Sequence, residues 1–110
     1  MKILMNTVAA LTLLVAAPAW AGGDASAGEG KAQTCAACHG PGGNSTIPIN
    51  PKLAGQYESY LAYALTSYKD GTRKNPIMGA QVAALSEQDI ADLAAYFAAQ
   101  PGQMAVVPKN

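Results

Sequence analysis

The sequence predicts an all-α fold with three main helices and additional short helical turns. Apolar residues recur at helical spacing over residues 57–69 and again over residues 90–97. A third helix is predicted over residues 24–37, where Asp24 or Ser26 can act as the N-cap. No segment has a convincing strand pattern, and a chain of 110 residues is expected to form one domain.

The first 21 residues are predicted to be a cleaved secretory signal peptide. Lys2 precedes an almost wholly apolar run over residues 3–17, and residues 19–21 have the small-x-small pattern of a cleavage site. An uncleaved membrane anchor is the alternative, but the apolar run is shorter than the ~20 residues that span a bilayer. We therefore expect export to the periplasm and a folded domain over residues 22–110, of which residues 101–110 form a mobile tail.

The charge and size of the exported chain limit its function. Without the signal peptide, six basic and seven acidic side chains remain, and a net charge near −1 argues against binding to nucleic acid. The 89 residues that remain are few for a self-sufficient core. Domains of this size often depend on a metal or a cofactor for stability.

The most informative stretch is C-x-x-C-H at residues 35–39, the pattern of covalent haem attachment. The thiols of Cys35 and Cys38 are three residues apart, so each can add to one vinyl group of the same porphyrin. His39 follows directly and can be the proximal ligand of the iron. It is the only histidine of the chain, so a haem bound through imidazole has no other candidate.

A redox-active disulfide and a zinc site are two other uses of a C-x-x-C-H motif. A redox-active disulfide between Cys35 and Cys38 would be expected near a βαβ pattern, which the sequence lacks. A closed structural zinc site needs four ligands, and Cys35, Cys38 and His39 supply three. No further Cys or His exists in the chain. One covalent haem is therefore the favoured interpretation.

The residues after His39 predict a long loop followed by a helix. Glycine and proline are too frequent over residues 40–51 for a regular element, and we expect this loop to cover one face of the haem. A backbone carbonyl within it would accept a hydrogen bond from the second imidazole nitrogen of His39. The next helix, over residues 57–69, ends at Gly71 as its C-terminal cap. Its apolar stripe consists of Tyr57, Tyr60, Leu61, Ala64, Leu65 and Tyr68.

Residues 72–79 are predicted to form a loop that carries Met78. A thioether is a soft axial ligand suited to haem iron, and Met78 is the favoured distal ligand. The alternatives are a packing role for Met78, ligation by Met104 in the tail, or an open distal site. A short helical turn is expected over residues 80–85. The last helix begins after Ser86, a good N-cap. Its apolar stripe consists of Ile90, Leu93, Ala94 and Phe97, and Pro101 and Gly102 end it.

Taken together, these residues resemble a class I cytochrome c of the small, soluble, bacterial monohaem type, or one domain of the dihaem periplasmic cytochromes c. The resemblance covers nearly all of the mature chain. It is carried by Gly23, Asp24, Gly28, CAACHG at residues 35–40, GNS at 43–45, PKLAGQ at 51–56, YL at 60–61, GTRKNPIM at 71–78 and LSEQDIADLAAYFA at 85–98. A single C-x-x-C-H shows that this chain is not a complete dihaem protein.

The resemblance implies a fold in which N- and C-terminal helices cross near the haem, with Gly28 as the small residue at the crossing and Tyr96 as its aromatic partner. It makes Pro51 the carbonyl acceptor for His39, and Met78 the sixth iron ligand. It also implies electron transfer rather than catalysis, between transient redox protein partners. A monomer without stable membrane insertion is expected.

The expected function is therefore that of a periplasmic one-electron carrier that is not an enzyme. One alternative is a dedicated cytochrome subunit of a periplasmic dehydrogenase or oxidase, and another is a haem enzyme or gas binder with an open site. Electrons would pass at a haem edge surrounded by small or apolar residues such as Ala36, Ala37 and Ile77. The cations Lys69, Arg73 and Lys74 form a modest positive cluster, which is either a steering surface or a solvated loop.

Overall fold

The computed structural model describes residues 22–102 and residue 104. In this part of the chain there are five α-helices, one 3-10 turn and no strand, which confirms the all-α prediction. The elements are α1 (Ala25–Lys31), α2 (Gln33–His39), the 3-10 turn (Pro41–Gly43), α3 (Glu58–Asp70), α4 (Pro76–Val82) and α5 (Glu87–Ala99). The predicted signal peptide and most of the predicted tail lie outside the described residues. Within those residues, no helix combines the length and the apolar character needed to cross a membrane.

The predicted N-terminal helix is two helices, α1 and α2, which meet at Ala32. Asp24 caps α1 by accepting hydrogen bonds from the amides of Ser26 and Ala27 at 2.8 and 3.2 Å. The amide of Ala32 is shared between the carbonyls of Gly28 and Glu29, at 2.9 and 3.3 Å. This shared bond, common at helix ends, tightens the turn there. The second helix continues to His39, two residues beyond the predicted end.

The helix crossing implied by the resemblance is present between α1 and α5. Gly28 is buried at this crossing. A Cβ atom added to Gly28 would lie 2.7 Å from the Cβ of Tyr96 and 2.7 Å from the carbonyl carbon of Asp92. The two helix backbones therefore touch at Gly28, and only a residue without a side chain fits between them.

The core lies between α5, α3 and the start of α2. Leu93, Ala94 and Phe97 on α5 are buried with Leu61 on α3 and with Ala32. Helix α5 begins with a capping box, in which Ser86 and Asp89 exchange side chain-to-backbone hydrogen bonds of 3.0 and 2.9 Å. The observed α5, Glu87–Ala99, confirms the predicted helix, which begins after its N-cap Ser86 and ends before Pro101.

A buried carboxylate, not anticipated from the sequence, joins α1 to α5. Asp92 is 3% exposed. It accepts hydrogen bonds from the amide of Asp24 at 2.8 Å, from Gln88 Nε2 at 2.7 Å and from Lys31 Nζ at 2.5 Å. Lys31 also pairs with Asp89 at 2.8 Å. The Lys31 ammonium, followed by the Asp24 amide and Gln88, lowers the pKa of Asp92 to about 2.

Candidate haem site

Helix α2 carries all three residues of the C-x-x-C-H motif. Cys35, Cys38 and His39 stand at helical offsets 0, 3 and 4, so they lie on one face of the last two turns. Both thiols are free. Cys38 is exposed, whereas Cys35 is half-buried, and burial raises the pKa of its thiol. Two unpaired thiols beside one imidazole are the donor set that covalent haem attachment requires.

The orientation of His39 is set by the following loop. The imidazole is 8% exposed, and its Nδ1 lies 2.8 Å from the carbonyl oxygen of Pro51. Because a carbonyl can only accept, Nδ1 carries the proton and donates it to this bond. Nε2 is then the nitrogen that is left with a lone pair for a metal. This is the contact that the family resemblance implies for His39 and Pro51.

The loop that brings Pro51 to His39 turns sharply at Gly40. Gly40 has φ +77° and ψ 168°, a conformation that is essentially restricted to glycine, and it ends α2 directly after His39. The 3-10 turn follows, and the carbonyl of Gly43 accepts from the amide of Leu53 at 2.8 Å. The chain is thus closed into a loop between Gly43 and Leu53, with Pro51 near its end.

Sequence reasoning missed two contacts that fix this loop to the end of α5. The amide of Gly55 donates to the carbonyl of Phe97 at 3.0 Å, and Asn44 Nδ2 donates to the carbonyl of Pro101 at 2.9 Å. Pro101, the first residue of the predicted tail, is therefore tied to the loop. The sequence around Asn44 could not predict this hydrogen bond, because its partner lies 57 positions away.

Met78 lies in a helix rather than in the predicted loop, and this prediction was wrong. Helix α4 begins at Pro76, and Asn75 is its N-cap. The side-chain oxygen of Asn75 accepts from the amides of Ile77 and Met78, both at 3.0 Å. This cap allows a helix to start at an Asn-Pro pair that also fits a turn. The short turn expected over residues 80–85 is likewise replaced, since α4 ends at Val82.

The side chain of Met78 is half-buried, and α4 packs against α3. Met104, the alternative ligand, is 40% exposed and belongs to no helix or strand. Met78 is therefore the methionine that regular structure holds in place. Two thiols, one oriented imidazole and a thioether on α4 are side chains whose chemistry fits haem c.

The alternative sites receive no support from the geometry. Within residues 22–102, no group of three or more His, Cys, Asp or Glu side chains is arranged to hold a metal ion. The same residues contain no strand, so the βαβ setting of a thioredoxin-like disulfide is missing there. The cavity of about 340 Å³ beside Pro51 does not involve either cysteine.

Comparisons with known proteins place this site in a family. The sequence matches the profile of the Cytochrome c family over residues 25–100. It is 48% identical over 109 residues to cytochrome c4 of Pseudomonas aeruginosa, a match that covers 99% of this chain and 53% of that protein. It is 47% identical over 81 residues to cytochrome c-554(548) of Halomonas halodenitrificans, which covers 71% of this chain and 98% of that protein.

The fold is similar to that of a solved structure, reduced recombinant cytochrome c4 from Pseudomonas stutzeri. The TM-score is 0.70 at 47% sequence identity, and the match covers 74% of this chain and 47% of that chain. The present chain thus spans about half the length of the cytochromes c4 that it matches. The predicted class I cytochrome c fold is confirmed, and so is haem c as the cofactor. The chain belongs to the cytochrome c family.

Proposed function

We propose that this chain is a periplasmic one-electron carrier, with one haem c attached to Cys35 and Cys38 and with His39 and Met78 as its axial ligands. The observation that carries the proposal is the 2.8 Å hydrogen bond between His39 Nδ1 and the Pro51 carbonyl. In the neutral imidazole this bond fixes the tautomer that keeps the lone pair on Nε2, and it also fixes the ring plane; both suit a proximal ligand. When bound, haem c supplies an iron that changes by one electron between its ferric and ferrous states.

The protein residues favour electron transfer over catalysis. His39 on α2 and Met78 on α4 would occupy both axial positions, so no coordination position would be left for a substrate. Cys35 and Cys38 would hold the porphyrin from the same helix that carries His39. Rigid attachment of this kind limits movement of the ligands when the charge of the iron changes. The homologous electron-transfer cytochromes agree with a role other than that of an enzyme.

The surface near the site favours weak, transient docking. Ile77, next to Met78, is 69% exposed, and Ala37 in the haem motif is also exposed. Two of the three cations of the basic cluster have partners within the protein. Lys69 donates to the carbonyl of Leu85, and the Arg73 guanidinium lies 4.7 Å from the centre of the Tyr68 ring. We therefore expect apolar contact around Ile77 to matter more than electrostatic steering.

A redox titration tests the carrier function directly. The purified exported protein should be reduced and reoxidised reversibly with the slope of a one-electron couple. The visible spectrum of the reduced form should not change when carbon monoxide is added, because both axial positions are filled. A rapid spectral change with carbon monoxide would instead show an open or labile distal site, and would favour the enzyme or gas-binding alternative.

The proposed location and boundaries have a separate test. We propose cleavage after Ala21, a domain over residues 22–110 and a monomer in the periplasm. Mass spectrometry of the protein recovered from the periplasm should give a chain that starts at Gly22 and carries the mass of one haem. A mass that retains residues 1–21 would contradict cleavage. Size-exclusion chromatography with light scattering would then decide whether the protein is a monomer.

A further inference from the structure

We propose that Asn75 is a positioning residue that holds Met78 in the orientation of an iron ligand. The proposal deepens the proposed function and rests on it, because it takes Met78 to be the distal ligand. Asn75 itself does not touch the iron or the haem in this account. It acts through the backbone of Met78, and its effect should appear in the stability of the ligand bond rather than in the identity of the ligand.

Asn75 controls the whole first turn of α4. Its side-chain oxygen accepts from the amides of Ile77 and Met78, both at 3.0 Å, and its carbonyl accepts from the amide of Gly79 at 2.8 Å. Pro76 has no amide hydrogen to satisfy. The three amide groups that follow Pro76 are therefore all bonded to Asn75, and Met78 is the middle one of them.

Helix α4 has little else to stabilise its first turn. It consists of seven residues, and Val82 at its far end is its buried residue. An isolated helix of two turns is unstable in water, so its structure depends on capping and on packing. In contrast, α5 has 13 residues, six of which are buried. Loss of a cap should therefore displace the first turn of α4 far more readily than that of α5.

The chain before Asn75 is fixed to α3, so Asn75 connects the ordered residues 70–73 to helix α4. The amide of Arg73 donates to the carbonyl of Ser67 at 2.9 Å, and Thr72 Oγ1 donates to Asp70 at 2.7 Å. The guanidinium of Arg73 stacks on Tyr68 of α3. Because residues 70–73 are held in this way, weakening the cap would free the start of α4 without freeing the segment before it.

External imidazole provides the test in the ferric holoprotein, since it binds the iron only when Met78 leaves. Loss of an N-cap typically shifts a helix equilibrium about fivefold. Asn75→Ala should therefore bind imidazole about fivefold more tightly than the wild type. Asn75→Asp and Asn75→Ser keep an oxygen acceptor and should stay within about twofold of the wild type. Ser86→Ala is the matched control, because it removes the cap of a helix that carries no ligand.

The outcomes separate this proposal from the proposed function. Wild-type affinity in Asn75→Ala, or an equal rise in Ser86→Ala, would overturn the positioning role while Met78 ligation stood. Absence of the Met–iron absorption band at about 695 nm in the wild type would overturn the ligand assignment and the positioning role with it. If Asn75→Ala yields no holoprotein, hydrogen exchange of the wild-type amides tests whether the cap is formed. The Ile77 and Met78 amides should be protected at least about tenfold, and unprotected amides would refute the cap.

Discussion

Replacement of Gly28 by alanine tests the helix crossing that organises the fold. The new Cβ atom would lie 2.7 Å from the Tyr96 Cβ and 2.7 Å from the Asp92 carbonyl carbon. Carbon atoms in contact are normally separated by about 3.5 Å or more, and the Asp92 carbonyl oxygen lies closer still, so α1 and α5 would have to move apart by at least about 0.8 Å. Neither obstacle is the end of a flexible side chain, and the contact cannot be relieved by a change of rotamer.

The expected loss of stability follows from the forced movement of α1 away from α5. Insertion of a methyl group into a tight contact typically costs up to about 3 kcal/mol. Alanine recovers about 1 kcal/mol through its higher helix propensity. We therefore expect Gly28→Ala to lower the free energy of unfolding by about 2 kcal/mol. For a domain of this size, such a loss corresponds to a decrease of about 10 °C in the melting temperature.

Gly30 in the same helix provides the matched control. A Cβ atom at Gly30 would meet nothing within 4 Å, so Gly30→Ala should stabilise the protein by about 0.5–1 kcal/mol. Guanidinium unfolding of both holoprotein variants, followed by far-ultraviolet circular dichroism, measures both changes. Opposite signs for the two variants support the crossing. A Gly28→Ala protein as stable as Gly30→Ala would refute the close approach of α1 and α5.

Two further predictions concern acid and the loop turn. The Lys31 ammonium is the main cause that lowers the pKa values of Asp89 and Asp92 to about 2 from 3.8. Their stabilising contribution should therefore be complete above about pH 4 and decline as the pH falls toward 2, seen as a falling denaturant midpoint. Asp92→Asn should flatten this dependence, and an unchanged pH profile would contradict the role of the cluster. Gly40 has φ +77° and ψ 168°, so Gly40→Ala should lower the free energy of unfolding by about 3 kcal/mol. Gly71 has φ +81° and ψ 6°, which other residues adopt more readily, so Gly71→Ala should lower it by about 1 kcal/mol. Equal unfolding free energies for these two variants would contradict the argument.

Sequence reasoning succeeded where the partners are neighbours in the chain. The start of α5 depends on Ser86 and Asp89, which are three residues apart and bond to each other. The end of α3 depends on Gly71, which adopts the left-handed conformation that its residue type favours. The thiols and the imidazole of the haem motif likewise lie within one short helix. In each case the physical cause is local, so the pattern of residue types was sufficient.

The placement of Met78 shows where a local pattern is ambiguous. An Asn-Pro pair can begin a turn or cap a helix, and both arrangements satisfy the same backbone groups. In the structure Asn75 caps a helix, and this helix packs against α3, a contact that no short window of sequence contains. Residue types alone therefore suggested Met78 as a ligand, which stays a prediction, whereas the helix that carries Met78 was not predicted.

Contacts between distant residues could not be predicted at all. In the sequence, Asp92 is simply a polar residue of α5. Its burial depends on Lys31 and the amide of Asp24, which lie 61 and 68 positions away. The bond from Asn44 to the Pro101 carbonyl spans 57 positions. Such partners are found only when helices and loops are assembled in three dimensions. These contacts join α5 to Asp24 and Lys31, and the loop after His39 to Pro101.

The most direct test of the central claim is the visible spectrum of the ferric holoprotein and of two methionine variants. Ligation by His39 and Met78 predicts a haem c spectrum with the Met–iron band at about 695 nm, lost in Met78→Ala and retained in Met104→Ala. Retention of the band in Met78→Ala, or its absence from the wild type, would contradict ligation of the iron by His39 and Met78.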